Sequence, residues 1–266
     1  MDGKKSILLT NDDGYHASGI RLLYEELKSE YKVTVVAPDR ERSGVGHAFT
    51  FNTHIHYEKS QETDPMKGYI VSGTPSDCVK FAVSYLLEQR PDIVVSGLNI
   101  GENSGLSAFY SGTVAAAREA AFWGIPGFAF SVCKESEDYA ADYATVVPSI
   151  IREILNTSVK DPKIFYNVNF PTCRMSEVTG TRITWQSMAF FDDRYERLEV
   201  ESHRTGEGFM IYGEKKDIEE SNAYDSRALM NNIITITPLS FDSTAHEKIP
   251  HLRRLEEIDF TKGDNR

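Results

Sequence analysis

Apolar and polar positions follow two alternating periods along the first two-thirds of the chain. Short runs of Ile, Leu, Val and Phe give way to stretches with apolar residues three and four apart, and the runs then return. "SILLT" predicts a strand, and Ile20, Leu23, Tyr24 and Leu27 after it form one stripe of a helix. "KVTVVAP" predicts the next strand, stopped by Pro38. Helical spacing resumes at Cys78, Phe81, Ala82, Tyr85 and Leu86, behind "GTPSD", where Thr74 can cap and Pro75 can sit in the first turn. "DIVVSG" reads as a buried strand. "SGTVAAAREAAF" reads as a helix whose small residues let it lie close on a sheet, and "GFAFSV" as another strand. Tyr143, Val146, Val147, Ile150, Ile151 and Ile154 mark one further helix, and "IFYNVNFP" ends the alternation.

This order predicts an α/β fold with a mostly parallel sheet flanked by helices over residues 1–172. Beyond residue 175 the texture changes. "RLEVES" and "GFMIYG" around "HRTGEG" predict a long β-hairpin, "IITITPL" a returning strand, and the charged C-terminus a last helix, all within an extension over 173–266. A protruding hairpin with apolar positions needs a packing partner, and a second subunit would supply one.

Composition narrows the class. The 266 residues are 40% hydrophobic and 26% charged, and no apolar run approaches the roughly 20 residues of a membrane span. The N-terminus lacks the pattern of a signal peptide, so a cytoplasmic location is the expectation. Lys and Arg total 29 against 40 Asp and Glu, a net charge of −11, which opposes binding to extended nucleic acid while leaving room for one small phosphate. Cys78, Cys133 and Cys173 form no CxxC pair and read as reduced packing residues.

Ligands collect at the carboxyl ends of strands in open α/β sheets. The unusual polar stretches fall there: Asp12 and Asp13 after the first strand, "PDRERSGVG" after the second, "SGLNIGENSG" after the strand at 92–96. Adjacent carboxylates repel unless a cation or shared proton compensates, so the pair reads either as a solvated turn or as ligands of a hard divalent cation. Ser43 and Asn99 offer neutral oxygens, a mix suited to magnesium or manganese rather than zinc. Ser111, Gly112 and Thr113 open a helix, where free N–H groups, two hydroxyls and the helix dipole can face an anion; N-capping explains the same letters. Asn103 can reach the same phosphate or brace its loop. Neither G-x-G-x-x-G after the first strand nor G-x-x-x-x-G-K-[ST] occurs, which removes support for dinucleotide and P-loop chemistry. His54 and His56 alternate without a third ligand and read as exposed strand positions; His246 alone reads as a surface or capping residue. Arg40 and Arg42, with Glu41 between them, read as solvated.

"TNDDG", "APDRERSG", "GTPSDCVK", "SGLNIGEN", "YSGTVAAAREA", "NVNFP" and "ITPLSFDSTAH" occur in the order and approximate spacing of the survival protein SurE family, which the chain resembles to about residue 246. The resemblance implies a Rossmann-like core with one divalent metal per subunit, magnesium or manganese, held by Asp12, Asp13, Ser43 and Asn99. It implies phosphate contacts from Asn103, Ser111, Gly112 and Thr113, and a histidine near the active site at His246. It also implies hydrolysis of nucleoside 5′- and 3′-monophosphates, with short polyphosphate as a further substrate, in a homodimer or homotetramer built through exchanged C-terminal segments. Ser18, where proline is commoner, and Asn232, where glycine is expected, depart from the family pattern. Two other readings remain: a nucleotide sensor that never turns over, and a haloacid-dehalogenase-like phosphatase. The latter wants an Asp nucleophile two residues before the second acid, where this chain has Asn11.

Overall fold

A computed structural model describes residues 3–157, 161–198 and 208–258. In chain order the elements are β1 (Ser6–Thr10), α1 (Ser18–Leu27), β2 (Lys32–Pro38), β3 (Tyr57–Lys59), β4 (Gly68–Val71), α2 (Pro75–Phe81) and β5 (Ile93–Ile100). There follow α3 (Ser107–Tyr110), α4 (Gly112–Phe122), β6 (Gly127–Val132), α5 (Ala140–Ala144), α6 (Val147–Asn156), β7 (Ile164–Phe170) and β8 (Gly180–Ile183). The last are β9 (Phe190–Leu198), β10 (Gly208–Lys216), α7 (Asp225–Met230), β11 (Ile233–Ser240) and α8 (Ile249–Leu252).

One nine-stranded sheet runs β3-β4-β2-β1-β5-β6-β7-β11-β8, and β9 with β10 forms a separate antiparallel pair. From β4 to β7 the neighbours are parallel; β3 is antiparallel to β4, and β11 is antiparallel to β7. The chain leaves β1 for β2 on one side and returns as β5 on the other, which makes the β1/β5 junction the sheet's switch point, the place where such sheets bind ligands at their carboxyl edge. Strand residues alternate between two cores. Ile7, Leu9, Ile93 and Val95 pack with α1, α5 and α6, while Leu8 and Val94 pack with α2 and α4. A strand buried on both faces has to be apolar throughout, which is why these segments read as unbroken hydrophobic runs.

Most predicted elements stand where the periodicity put them; three differ. The helix expected through Tyr143–Ile154 is two helices, because Pro148 in the first turn of α6 lacks the N–H that a continuous helix would need. The helix through Cys78–Leu86 keeps its capping box, Thr74 with Asp77, but its second half, Ala82–Leu86, widens into a π turn. The charged C-terminal helix is only α8 between two 3-10 turns, His246–Lys248 and Arg253–Glu257; its Ile249, Leu252 and Leu255 are exposed and give it no packing face. The boundary expected at 172/173 does not separate two sheets, since β11 pairs with β7 over six positions. Part of the "RLEVES" strand and the "HRTGEG" turn lie outside the described residues. His54 and His56 precede β3 in exposed positions, and all three cysteines are free and buried.

Candidate active site

The "NDDG" stretch is a turn, and Asn11 makes it one. Its side chain accepts from Gly14 N at 3.2 Å and donates to Gly14 O at 2.9 Å, bracing the chain as it leaves β1. The turn holds Asp12 and Asp13 at the carboxyl edge in unequal environments. Asp12 is 4% exposed. Its Oδ1 accepts the Thr113 hydroxyl, and the backbone N–H groups of Thr113 and Gly112 also support its carboxylate. Burial nevertheless raises its pKa. Asp13 has no such support: burial, then the charges of Asp12 and Glu41, push its carboxyl up to about 7. Among the described residues no lysine, arginine or histidine pairs with either carboxylate.

Ser43 follows β2, in a loop drawn over the turn by a 2.6 Å bond from Arg42 N to Asp12 O. Its hydroxyl hydrogen goes to Glu41 Oε1 at 2.8 Å, which leaves the oxygen's lone pairs outward. Asn99 lies at the end of β5, beside β1 through the Thr10–Ser96 pairing. Its Nδ2 donates to Gly101 O at 2.5 Å, so Oδ1 is its remaining acceptor. Two carboxylates, a hydroxyl oxygen and an amide oxygen on three adjacent strand ends form a hard donor set that fits magnesium or manganese. No group of three or more His, Cys, Asp or Glu residues suited to a metal exists among the described residues, so the softer ligand sets are not on offer.

Asn103 is held from three sides. Asn169 Oδ1 accepts its N–H at 2.7 Å, Asn167 Nδ2 donates to its C=O at 2.7 Å, and its own Nδ2 donates to Ser131 Oγ at 2.8 Å. Ser131 is the register partner of Asn99, which brings Asn99 and Asn103 to one neighbour. Asn169 Nδ2 and the Ser96 hydroxyl are buried without a partner. An unanswered buried donor is costly, and these two mark the floor as polar by design rather than by packing. Periodicity missed Asn167 and Asn169; their signal was "NVNFP", two asparagines at alternate positions of an otherwise apolar strand.

Ser111, Gly112 and Thr113 open α4 directly against Asp12. A Cβ on Gly112 would lie 2.8 Å from Asp12 Cβ, so only glycine lets the helix end approach this closely. The backbone N–H groups of Gly112 and Thr113 lie close enough to Asp12 to lower its pKa in part, and Ser111 Oγ accepts the N–H of Val114 at 3.1 Å and so caps α4.

His246 is not brought to this cluster within the chain. β11 runs antiparallel to β7, Ser240 pairs with Ile164, and the residues beyond it emerge at the amino edge of the sheet. There Asp242 pairs with Lys163 at 3.5 Å, and His246 Nε2 meets Asp242 Oδ2 at 3.0 Å with its side chain 68% exposed.

The profile described as "Survival protein SurE" matches residues 7–193. The chain is 38% identical over 253 residues to "5'-nucleotidase SurE" of Flavobacterium psychrophilum, covering 94% of this chain and 96% of that protein. It is 37% identical over 252 residues to the protein of the same name from Desulfatibacillum aliphaticivorans, covering 93% and 96%. The crystal structure of the SurE protein from Aquifex aeolicus superimposes with a TM-score of 0.79 at 34% identity, covering 94% of this chain and 99% of that one. With its ordered strand-end motifs, its sheet and its relatives in agreement over nearly the full length, the chain belongs to the survival protein SurE family.

Proposed function

We propose that the protein is a divalent-cation-dependent 5′-nucleotidase that hydrolyses nucleoside monophosphates to nucleoside and phosphate. The observation that carries this reading is the pair Asp12, buried, and Asp13, half-buried, at the switch point, both with raised pKa values and, among the described residues, with no ion pair to either carboxylate. Asp12, Asp13, Ser43 and Asn99 would hold magnesium or manganese. When bound, such an ion neutralises phosphoryl charge and acidifies water.

The chain's own residues supply the rest. Asn103, Ser111, Gly112 and Thr113 would contact the phosphoryl group, and the buried, unpartnered Asn169 amide, whose oxygen holds the Asn103 N–H, would add a donor behind Asn103. Of the two acids Asp13 is the one free to take a proton from attacking water, since Thr113 already occupies Asp12 Oδ1. Asn11 is spent on bracing the turn, which leaves the haloacid-dehalogenase arrangement without a nucleophile at that position.

Assembly belongs to the same reading. Tyr195, Phe209, Ile211 and Tyr212 of the β9/β10 hairpin are exposed at 72%, 55%, 50% and 46%, and an isolated two-stranded ribbon is marginal in water. A homodimer or homotetramer formed through these C-terminal segments would cover them. His246 acts near a leaving nucleoside oxygen only if a second copy brings it there.

The test is phosphate release from 5′- and 3′-nucleoside monophosphates, sugar phosphates and short polyphosphate, each with magnesium, manganese or EDTA. Release from 5′-monophosphates that EDTA abolishes is the expected result. Tight nucleotide binding without release under both metals would replace the enzyme with a sensor. Activity on 3′-monophosphates and polyphosphate is expected in the same assay.

A further inference from the structure

Helix α4 carries a second buried acid that plays no part in the chemistry above. Glu119 is 2% exposed and lies six residues beyond Thr113, roughly 9 Å along the helix axis at about 1.5 Å per residue. Trp123 Nε1 donates to its Oε1 at 2.8 Å, Lys80 Nζ pairs with Oε1 at 3.0 Å, and His47 Nε2 lies 2.9 Å from Oε2. Burial alone would raise its pKa; the bonds from His47, Lys80 and Trp123 more than offset this and hold the carboxyl below its ordinary range. The His47 ring also stacks on Phe122 of α4, centroids 5.0 Å apart and planes at 13°.

His47 is the informative partner, because it stands four residues after Ser43. Gly44 and Gly46 lie between them with φ of +72° and +58°, and a Cβ on Gly44 would meet nothing within 4 Å. Packing does not restrain the chain at Gly44, whereas a Cβ on Gly46 would lie 3.2 Å from Phe109 O. On one side of Ser43 the loop is tied by Arg42 N to Asp12 O; on the other the first ties are Gly46 N to Tyr110 O at 2.8 Å and His47 to Glu119. An apolar side chain at 119 would fill the same volume without the desolvation cost of a buried carboxylate, so packing does not explain the acid.

We propose that Glu119 is a positioning residue. Through His47 it fixes the Ser43-bearing loop to α4, the helix whose N-terminus carries Ser111–Thr113, so that the cation's oxygen donors and the phosphate side of the site keep one relative placement. The inference rests on the reading of Ser43 as a cation ligand.

The test compares Glu119→Gln and His47→Gln with Lys80→Met, which removes a Glu119 partner that is not on the loop. Three quantities are read in the full-length protein: amide hydrogen exchange at Gly46 and Thr50, manganese affinity by calorimetry, and melting temperature. Glu119→Gln is expected to speed Gly46 exchange at least tenfold relative to β6 amides and to weaken manganese binding about tenfold. His47→Gln is expected to act in the same direction with smaller size, and Lys80→Met to stay within twofold of the parent affinity. Wild-type manganese affinity in Glu119→Gln, unchanged Gly46 exchange alongside a lowered melting temperature, or an equal effect of Lys80→Met would each overturn the proposal. If Glu119→Gln does not fold, the His47→Gln measurements decide in its place. A parent protein that binds manganese but releases no phosphate from nucleotides refutes the nucleotidase reading alone; one that binds no manganese refutes both.

Discussion

The two ends of the central sheet treat their acids in opposite ways. At the amino end Asp92 accepts Ser6 N at 2.7 Å and Ser6 Oγ at 2.8 Å, and these bonds hold its carboxyl below the ordinary range. Asp242, also at that end, is held low first by His246 and then by Thr244. At the carboxyl end Asp12 and Asp13 are raised, Asp13 to about 7. Acids that finish a fold are answered by donors of the same chain. The acids at the carboxyl edge are raised chiefly by burial, and for Asp13 also by the charges of Asp12 and Glu41, with no ion pair among the described residues to offset it.

The largest test of this contrast is Asp13→Asn. On the proposed reading metal-dependent turnover should fall at least a hundredfold, since the variant would lose both a ligand charge and the proton acceptor. The metal-free variant should at the same time be more stable than its parent at pH 8. The folded pKa of Asp13, about 7, lies above the ordinary carboxylate value of 3.8, so the folded state binds the extra proton between them. Stability of the metal-free parent attributable to Asp13 therefore falls as pH rises from about 4 to about 7 and stays low above it. The difference at pH 8 is on the order of 2 kcal/mol, after discounting the full shift for the solvent that still reaches this half-buried group. Denaturant melts of parent and variant at pH 5 and pH 8 check it: the gap should open with pH and close when manganese is added to the parent. A gap of the same size at both pH values would break the contrast.

His246→Ala sharpens it from the amino end. The residue is exposed, so single-chain stability should change by less than about 0.5 kcal/mol. If a second copy brings His246 to the leaving group, turnover falls about a hundredfold and dilution of the parent mimics the loss. Rates that ignore both the substitution and dilution would leave His246 as no more than a partner of Asp242. The smallest effect is expected for Asp92→Asn, a loss below about 1 kcal/mol at pH 7, because these bonds are solvent-exposed. The depressed pKa means that the contribution persists at neutral pH and is lost only as pH falls through the folded value. An Asp92→Asn effect that vanished above pH 5 would contradict that sign.

Much of the fold was legible because each core strand is buried on both faces and therefore apolar along its length. The β6 run "GFAFSV" matches its strand end for end. The edge strands β3 and β8 and the short β4 beside β3 were not legible, since the edges are exposed throughout and β4 buries only Val71, which leaves no periodicity to read. The break between α5 and α6 was hidden by apolar spacing that continues across it, although Pro148 signalled the stop. In the site, Asp12, Asp13, Ser43 and Asn99 could be nominated one at a time from strand-end positions. What sequence could not convey was how their hydrogens are committed: that the Thr113 hydroxyl goes to Asp12, and that Asn99 turns its amide to Gly101. His246 was the opposite case. Its motif was clear, but only the antiparallel return of β11 shows at which end of the sheet it emerges.

The chain has two tryptophans, and the fold places them as separate optical reporters. Trp123 donates its indole hydrogen to Glu119, within the clasp over the Ser43 loop. Trp185 is 71% exposed beside Tyr224, near the base of the unpartnered hairpin. With Trp185 replaced by Phe, emission should follow the clasp as manganese is titrated; with Trp123 replaced instead, it should shift to the blue as protein concentration drives subunits together. The two tryptophans thus offer label-free fluorescence tests of the proposed site and of the proposed assembly.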